Sequence, residues 1–423
     1  MSFTAKAFLN QYKNIIKNSF FLCIIDGIRL VMPFIALPYM LNIIGSENYG
    51  KIVFSQTVVT YFAITVNFGL NIYTVKRFAD NLDSPLQMSI ISSTLIALRL
   101  LLALAGLSVL TAMVILFPLL KSLTVLLYFS YLTVFAEAIT VTSFFQSIQR
   151  MGNITFIQTF SILFYVAALF IFVKEKADYI FIPLLQSLGL LLAGLISVAI
   201  MHCQFKVRLT LPHWKDITEM CKQSFPFALS RIAVVANNNM TRLFAGITLS
   251  MHDLALLDMA QKISDTAQMP ASILDQAIYP HNAQKQDRKF ATRTFFLMAV
   301  LGIVCACIML LGTPWAVKIL GAGKLNEAIP LTYILSFKVF LAVMSFYTGT
   351  PLLVAFGHAR EFNSSILFST IISVLLYAVL FGLSALSLKM FVFLLIISEA
   401  AVFIYRTIYC IKFKIITINN FRS

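Results

Sequence analysis

Long apolar runs separated by short polar breaks make up almost the whole chain. Windows of about 20 apolar residues, the length that carries a helix across a bilayer, predict twelve spans. They fall at 19–43, 50–73, 88–117, 123–145, 154–173, 179–201, 226–249, 254–280, 294–312, 328–356, 363–383 and 389–409. The third and tenth are long enough to be tilted or broken, and Gly349 and Pro351 are placed to interrupt the tenth. The longest break, Gln204–Ser224, divides the spans six and six. The expected fold is thus an all-α polytopic membrane protein, twelve transmembrane helices in two six-helix lobes. The lobes are 1–203 and 226–423, joined by a cytoplasmic linker at 204–225. An even number of spans per half starts both halves on the same side. Their symmetry axis then stands along the membrane normal, with a cavity between them.

Two spans depart from the apolar pattern. The seventh carries Arg231, Asn237, Asn238, Asn239 and Arg242. The eighth carries Asp258, Gln261, Lys262, Asp265, Gln268 and Asp275. An ionised side chain at the bilayer centre costs roughly 2.5–3.5 kcal/mol on insertion scales, so lipid-facing helices do not hold so many. Arg231, Asn238 and Arg242 lie at i, i+7 and i+11, on one side of a helix. At a ~1.5 Å rise per residue the two arginines stand about 16 Å apart. The eighth span runs its polar residues in three- and four-residue steps down one stripe, with Pro270 expected to kink or break it. The structural alternative is internal pairing, such as Asp258 with Lys262 at i, i+4, or the arginines with Asp265 or Asp275. In the first span Asp26 and Arg29, at i, i+3, are expected to pair. Arg99 with Glu137, and Lys338 with Glu399, are candidate pairs elsewhere.

Charge fixes the orientation. With the N-terminus inside, the inside segments hold nineteen of the 32 Lys and Arg residues, the last segment counting Arg406, Lys412, Lys414 and Arg422. The outside loops hold seven: Lys51, Lys121, Lys174, Lys176, Lys318, Lys324 and Lys389. The positive-inside rule then places both termini in the cytoplasm. The net charge of +15 is therefore a matter of topology and is not read as a nucleic-acid surface. The basic first seventeen residues end in no small-residue cleavage site, so a cleaved signal peptide is not expected. Trp214, Ile217 and Cys221 share a face in the linker, which suggests a helix lying on the membrane surface. Neither HExxH, a Walker A loop nor GxGxxG is present, so no metal and no cofactor is expected.

Leu37–Leu70, LPYMLNIIGSENYGKIVFSQTVVTYFAITVNFGL, resembles the opening of polysaccharide repeat-unit flippases of the O-antigen type. These have a proline-containing first span, a short G-x-x-x-Y-G loop and a second span ending in F-G. Gly45, Tyr49, Gly50, Phe68 and Gly69 match. The resemblance implies the multidrug/oligosaccharidyl-lipid/polysaccharide exporter fold, two lobes rocking between inward- and outward-open states in the bacterial inner (cytoplasmic) membrane. It implies a transporter rather than an enzyme. The implied cargo is an undecaprenyl-diphosphate-linked oligosaccharide, flipped among membrane lipids, with a polysaccharide polymerase and chain-length machinery as implied partners. Guanidinium groups suit a diphosphate because they offer several fixed donors and stay charged. Amide side chains suit sugar hydroxyls. Arg29, Arg231, Asn238, Arg242 and Lys262 are thus the substrate-binding candidates. Asp26, Asp258 and Asp265 are the ion-coupling candidates, buried carboxylates being able to carry protons.

Two other readings stay open. A cation-coupled multidrug exporter of the same fold class would bind cationic cargo through its acids. A membrane glycosyltransferase or polymerase would usually need a sizeable aqueous loop, and no outside loop exceeds roughly twenty residues on the span reading.

Overall fold

The computed structural model describes the backbone of residues 2–382 and 386–416, and their side chains except those of 2–20, 22, 23, 227, 229–234 and 236–238. No strand occurs among these residues. The helices are α1 (Ser2–Asn67), α2 (Leu70–Ala79), α3 (Pro85–Leu116), α4 (Pro118–Lys121), α5 (Thr124–Ile139), α6 (Thr142–Ser147) and α7 (Met151–Phe172). They continue as α8 (Phe181–Phe205), α9 (Trp214–Thr248), α10 (Met251–Lys285), α11 (Arg288–Leu320), α12 (Ala328–Tyr347), α13 (Ala359–Gly382) and α14 (Leu388–Lys412). A π-helical turn, Thr348–Val354, extends α12 where Gly349 and Pro351 fall. Nine stretches of the described residues are long and apolar enough to cross a membrane. α10 is not among them, because its polar stripe lowers its hydropathy. Pro270 and Pro280 lie inside α10, which runs on past both without a break.

α1 contains one non-helical residue, Gly45, at φ 77° and ψ 171°. That conformation is open to glycine and strained for other residues. It bends the chain between the first two predicted spans. A second break follows at Phe68 (φ 39°) and Gly69 (φ 67°), both left-handed, between α1 and α2. The F-G pair of the opening motif is therefore a helix break.

The chain forms two compact units, Met1–Ile44 with Ser55–Ile232, and Gly45–Phe54 with Ala233–Ser423. The core of the first packs Phe78, Phe144, Phe145 and Leu95, all buried. Phe144 meets Phe78 and Phe205 edge-on at 5.6 and 5.3 Å. Ser89 and Ser93 of α3 accept hydrogen bonds from the backbone N–H groups of Arg208 and Thr210 at 3.0 and 2.8 Å. These bonds tie the non-helical segment after α8 to α3. Ile217 and Met220 are buried in the same core. The face carrying Ile217 thus packs into protein as the first turns of α9, in place of the expected membrane-surface helix; only Trp214 stays exposed.

In the second unit α10 packs against α12, and Leu254, Leu256, Leu257 and Met259 of the first and Leu335, Val339 and Tyr347 of the second are buried. Gly302 of α11 brings α12 close, its missing Cβ standing 3.2–3.4 Å from Phe340 and Val343. In both units the exposed residues include Leu, Ile and Phe in number, among them Ile115, Leu116, Ile171, Ile308 and Leu311. Such an exterior is suited to lipid. Arg406 lies within α14 and is buried. Moving it out of the cytoplasmic segment leaves eighteen inside bases against seven outside, which keeps the asymmetry.

Candidate functional site

In the second unit the opening motif and the two polar helices meet. Gly50 sits so close to α10 that a Cβ there would stand 1.8 Å from the Met251 carbonyl oxygen. Nearby, Ser46 Oγ is 2.7 Å from His252 Nδ1. This contact of backbone on backbone sets Tyr49 over α10. Its hydroxyl donates to Asp258 Oδ2 at 2.5 Å and accepts from Lys262 Nζ at 2.5 Å. Lys262 Nζ also reaches Asp258 Oδ2 at 2.7 Å. On the other oxygen, Arg242 Nε lies 3.0 Å from Asp258 Oδ1, an ion pair without the alignment of a hydrogen bond. Asp258 is buried, whereas Arg242 and Lys262 are partly open, with side chains 21% and 35% exposed. Two cations on one carboxylate leave one positive charge in excess.

Arg242, Lys262 and Asp258 are thus brought together. The i, i+4 pairing of Asp258 with Lys262 is made, and Arg242 pairs with Asp258, not with Asp265 or Asp275. Asp265 stands apart, more than half exposed, 3.7 Å from Lys338 Nζ. The expected Lys338–Glu399 pair is therefore replaced by Lys338–Asp265, and Glu399 accepts from the Ser345 hydroxyl. The side chains of Arg231 and Asn238 lie outside the described residues. Tyr49 was missing from the sequence candidates; its place in G-x-x-x-Y-G was the available signal.

The first unit holds a polar cavity of about 700 Å³ lined by Arg29, Asn67, Asn71, Glu137, Gln158 and Gln186, among others. Asp26 and Arg29 pair at 3.8 Å with both side chains more than half exposed. Arg29 Nη2 also donates to Gln158 Oε1 at 3.0 Å. Gln56 donates to Gln186 at 2.7 Å. Arg99, fully buried, is within electrostatic reach of Glu137, as expected, and its guanidinium also makes several hydrogen bonds. Its Nη2 donates to Asn71 Oδ1 at 2.7 Å and Asn67 Oδ1 at 3.1 Å. Its Nη1 donates to the backbone oxygens of Thr140 at 3.0 Å and Glu137 at 3.4 Å. Asn67 and Asn71 flank the Phe68-Gly69 break, and Thr140 ends α5, where carbonyls lack helical partners. One guanidinium therefore caps two helix breaks. Asn67 Nδ2 in turn donates to Glu137 Oε1.

These features, many apolar helices with charge clustered on α9 and α10, are those of a multi-pass membrane protein. The family model described as polysaccharide biosynthesis protein matches residues 15–286, and the chain belongs to that family. It is 24% identical over 370 residues to a protein of Escherichia coli (strain K12) named "Putative O-antigen transporter", covering 85% of this chain and 88% of that one. A protein of the same name from Shigella dysenteriae is 24% identical over 292 residues, covering 69% and 73%. Among solved structures, the inward-facing conformation of a multidrug resistance MATE family transporter of the MOP superfamily aligns with a TM-score of 0.70. The identity there is 11%, over 93% of this chain and 96% of that one. The all-helical fold is thus like that of MATE family transporters, in keeping with the Leu37–Leu70 resemblance, and the family is a polysaccharide biosynthesis one.

Proposed function

We propose that this chain is a transporter, not an enzyme, that flips undecaprenyl-diphosphate-linked oligosaccharide repeat units across the bacterial inner membrane by alternating access. The observation that carries the reading is the pair of cations, Arg242 and Lys262, on the single carboxylate of Asp258. Their excess positive charge suits a diphosphate, which would compete with Asp258 for both. The family and the names of the relatives point the same way. Arg29, Arg231 and Asn238 complete the proposed cargo path, with the amides of the first-unit cavity facing sugar hydroxyls. Asp26, Asp258 and Asp265 are the proposed coupling acids. Cargo that takes the cations from Asp258 would free that carboxylate for a coupling ion.

Twelve spans in two six-helix lobes, at 1–203 and 226–423 with the linker 204–225 between, belong to the same proposal. Nine apolar stretches support it, one of them bent at Gly45 into two, together with α9 and α10. Both termini are cytoplasmic in this reading, and a polymerase with chain-length machinery takes the cargo up. The test is translocation of a lipid-linked oligosaccharide in proteoliposomes. Arg242→Lys keeps partial flux and Arg242→Ala stops it at near-normal abundance. Full flux in both Arg242→Ala and Lys262→Met would end the reading of this cluster as a cargo site.

A further inference from the structure

Three segments of the second unit meet at one end. Gln286, in the turn between α10 and α11, donates to the Ala355 carbonyl at 3.3 Å, and Asn282 donates to the Pro351 carbonyl at 2.9 Å. This turn is thereby joined to the end of the π-helical one. Just past Ala355, the His358 ring lies flat on Phe413, 3.7 Å away with 2° between the planes. That stack joins the start of α13 to the end of α14. The same end collects Lys285, Arg288, Lys289, Arg360, Lys412 and Lys414, all exposed. None of the six forms an ion pair among the described residues. Two acids stand among them. Asp287 Oδ1 accepts from the backbone N–H groups of Lys289 and Phe290 at 2.8 and 3.2 Å. Glu361 is half-buried and within electrostatic reach of Tyr405. Six bases against two acids leave four positive charges in excess.

Helix stability opposes this charge. Arg288 and Lys289 open α11, and Arg360 lies in the first turn of α13. At those helix ends the backbone dipole favours anions and disfavours cations. Arg293, also exposed, follows Lys289 at i+4, a like-charge neighbour on one face. An external anion relieves both. The positive-inside bias does not account for the arrangement, because it counts bases loop by loop and does not require separate loops to bring them to one place. The surroundings select the kind of anion. Tyr405, Tyr409 and Phe413 follow one another along α14 with ring centroids 4.8 and 5.8 Å apart. Lys412 Nζ lies 5.5 Å from the centre of the Tyr409 ring. Tyrosines gather at the bilayer–water interface. The exposed apolar surface runs up to the bases, with Phe296 on α11 and Ile408 and Ile411 on α14. Cations at the rim of an apolar exterior stand at the depth of phospholipid headgroups, where an anionic surface attracts each of them. A soluble acidic protein or a nucleic acid has no use for that rim.

We propose that this end of the second unit is a docking surface for anionic phospholipid headgroups, held between the α10–α11 turn, the start of α13 and the end of α14. In the proposed topology it faces the cytoplasmic leaflet; the binding itself rests neither on that topology nor on the flippase reading. The test titrates phosphatidylglycerol or phosphatidylcholine into the purified full chain in neutral detergent, and mass spectrometry of the intact complex counts the bound lipids. Each base near an anionic surface contributes about fivefold, so wild type is expected to bind phosphatidylglycerol about tenfold or more tightly than phosphatidylcholine. Arg288→Gln, Lys289→Gln, Lys412→Gln and Lys414→Gln together should remove that preference. Four exposed bases of the first unit are the control: Lys76→Gln, Arg77→Gln, Lys206→Gln and Lys215→Gln together should leave it in place. Equal affinity of wild type for the two lipids overturns the surface, and so does an equal loss in the two fourfold variants. Should the first of them not accumulate, the pairs Arg288→Gln with Lys289→Gln and Lys412→Gln with Lys414→Gln are measured separately. Each pair is expected to lower the preference about threefold or more, and an unchanged preference in both overturns the surface. Indifference to lipid charge, with retention of a polyglutamate peptide that depends on the same four bases, overturns the lipid assignment in favour of an acidic protein.

Discussion

The phenol of Tyr49 and the carboxylate of Asp258 are 209 positions apart in sequence and 2.5 Å apart in space. The tyrosine of a short loop motif is therefore a direct partner of the charged stripe on α10. Its oxygen also accepts from Lys262, so three side chains close on one acid.

Removing that hydroxyl isolates its contribution. Tyr49→Phe keeps the ring over Lys262, which lies 5.2 Å from its centre. A hydrogen bond to a charged group is worth about 1.5–3 kcal/mol. The variant is expected to lose thermal stability to that extent and to show reduced glycan display. An unchanged melting curve with unchanged display would show the contact to be idle.

Asp258 and its cations are not equivalent. Asp258→Asn leaves two partly buried cations side by side, and breaking a buried pair costs about 3–5 kcal/mol. Protein abundance is expected to fall sharply. Lys262→Met is milder, about 1 kcal/mol, because that side chain is a third exposed and solvent screens it. Combining the two substitutions should recover abundance without recovering transport. Abundance of the double variant at or below that of Asp258→Asn alone would contradict this charge balance.

Gly50 is a test of packing alone. Any Cβ collides with the Met251 carbonyl, a backbone atom that cannot swing away. Overpacking a tight contact costs about 1–3 kcal/mol and at times more, so Gly50→Ala is expected at the upper end. Gly27→Ala, whose Cβ meets nothing within 4 Å, should be near neutral in the same expression and melting assay. Equal behaviour of the two would mean that the loop does not seat on α10 as described.

Topology is checked by reporter fusions. Fusions after Lys176 and Lys324 should report periplasm, and those after Lys215 and Lys289 cytoplasm. The expectation follows from the excess of Lys and Arg on one set of loops. A periplasmic signal at Lys215 would overturn the span assignment.

The sequence alone carried whatever depends on local composition. Apolar run length determined the helices, the Lys and Arg count determined the proposed orientation, and helical spacing placed Asp258 beside Lys262. The motif residues were visible too, as was the excess polarity of α9 and α10. What spacing cannot say is which residues of distant segments meet. Asp258 had several possible bases, and only the fold chose Arg242 and Lys262 and added Tyr49. Spacing put Arg99 within reach of Glu137, but only the fold showed that its fixed fork of donors also goes to amides and carbonyls at two helix breaks. Asp275 is one more member of a polar stripe in the sequence, and only the fold shows that its carboxylate is buried without a hydrogen-bond partner among the described residues. The physical reason is range. Hydrophobic periodicity and charge bias act within a helix or at its ends, whereas the partner of a buried polar group is set by contacts between helices, which close packing alone selects.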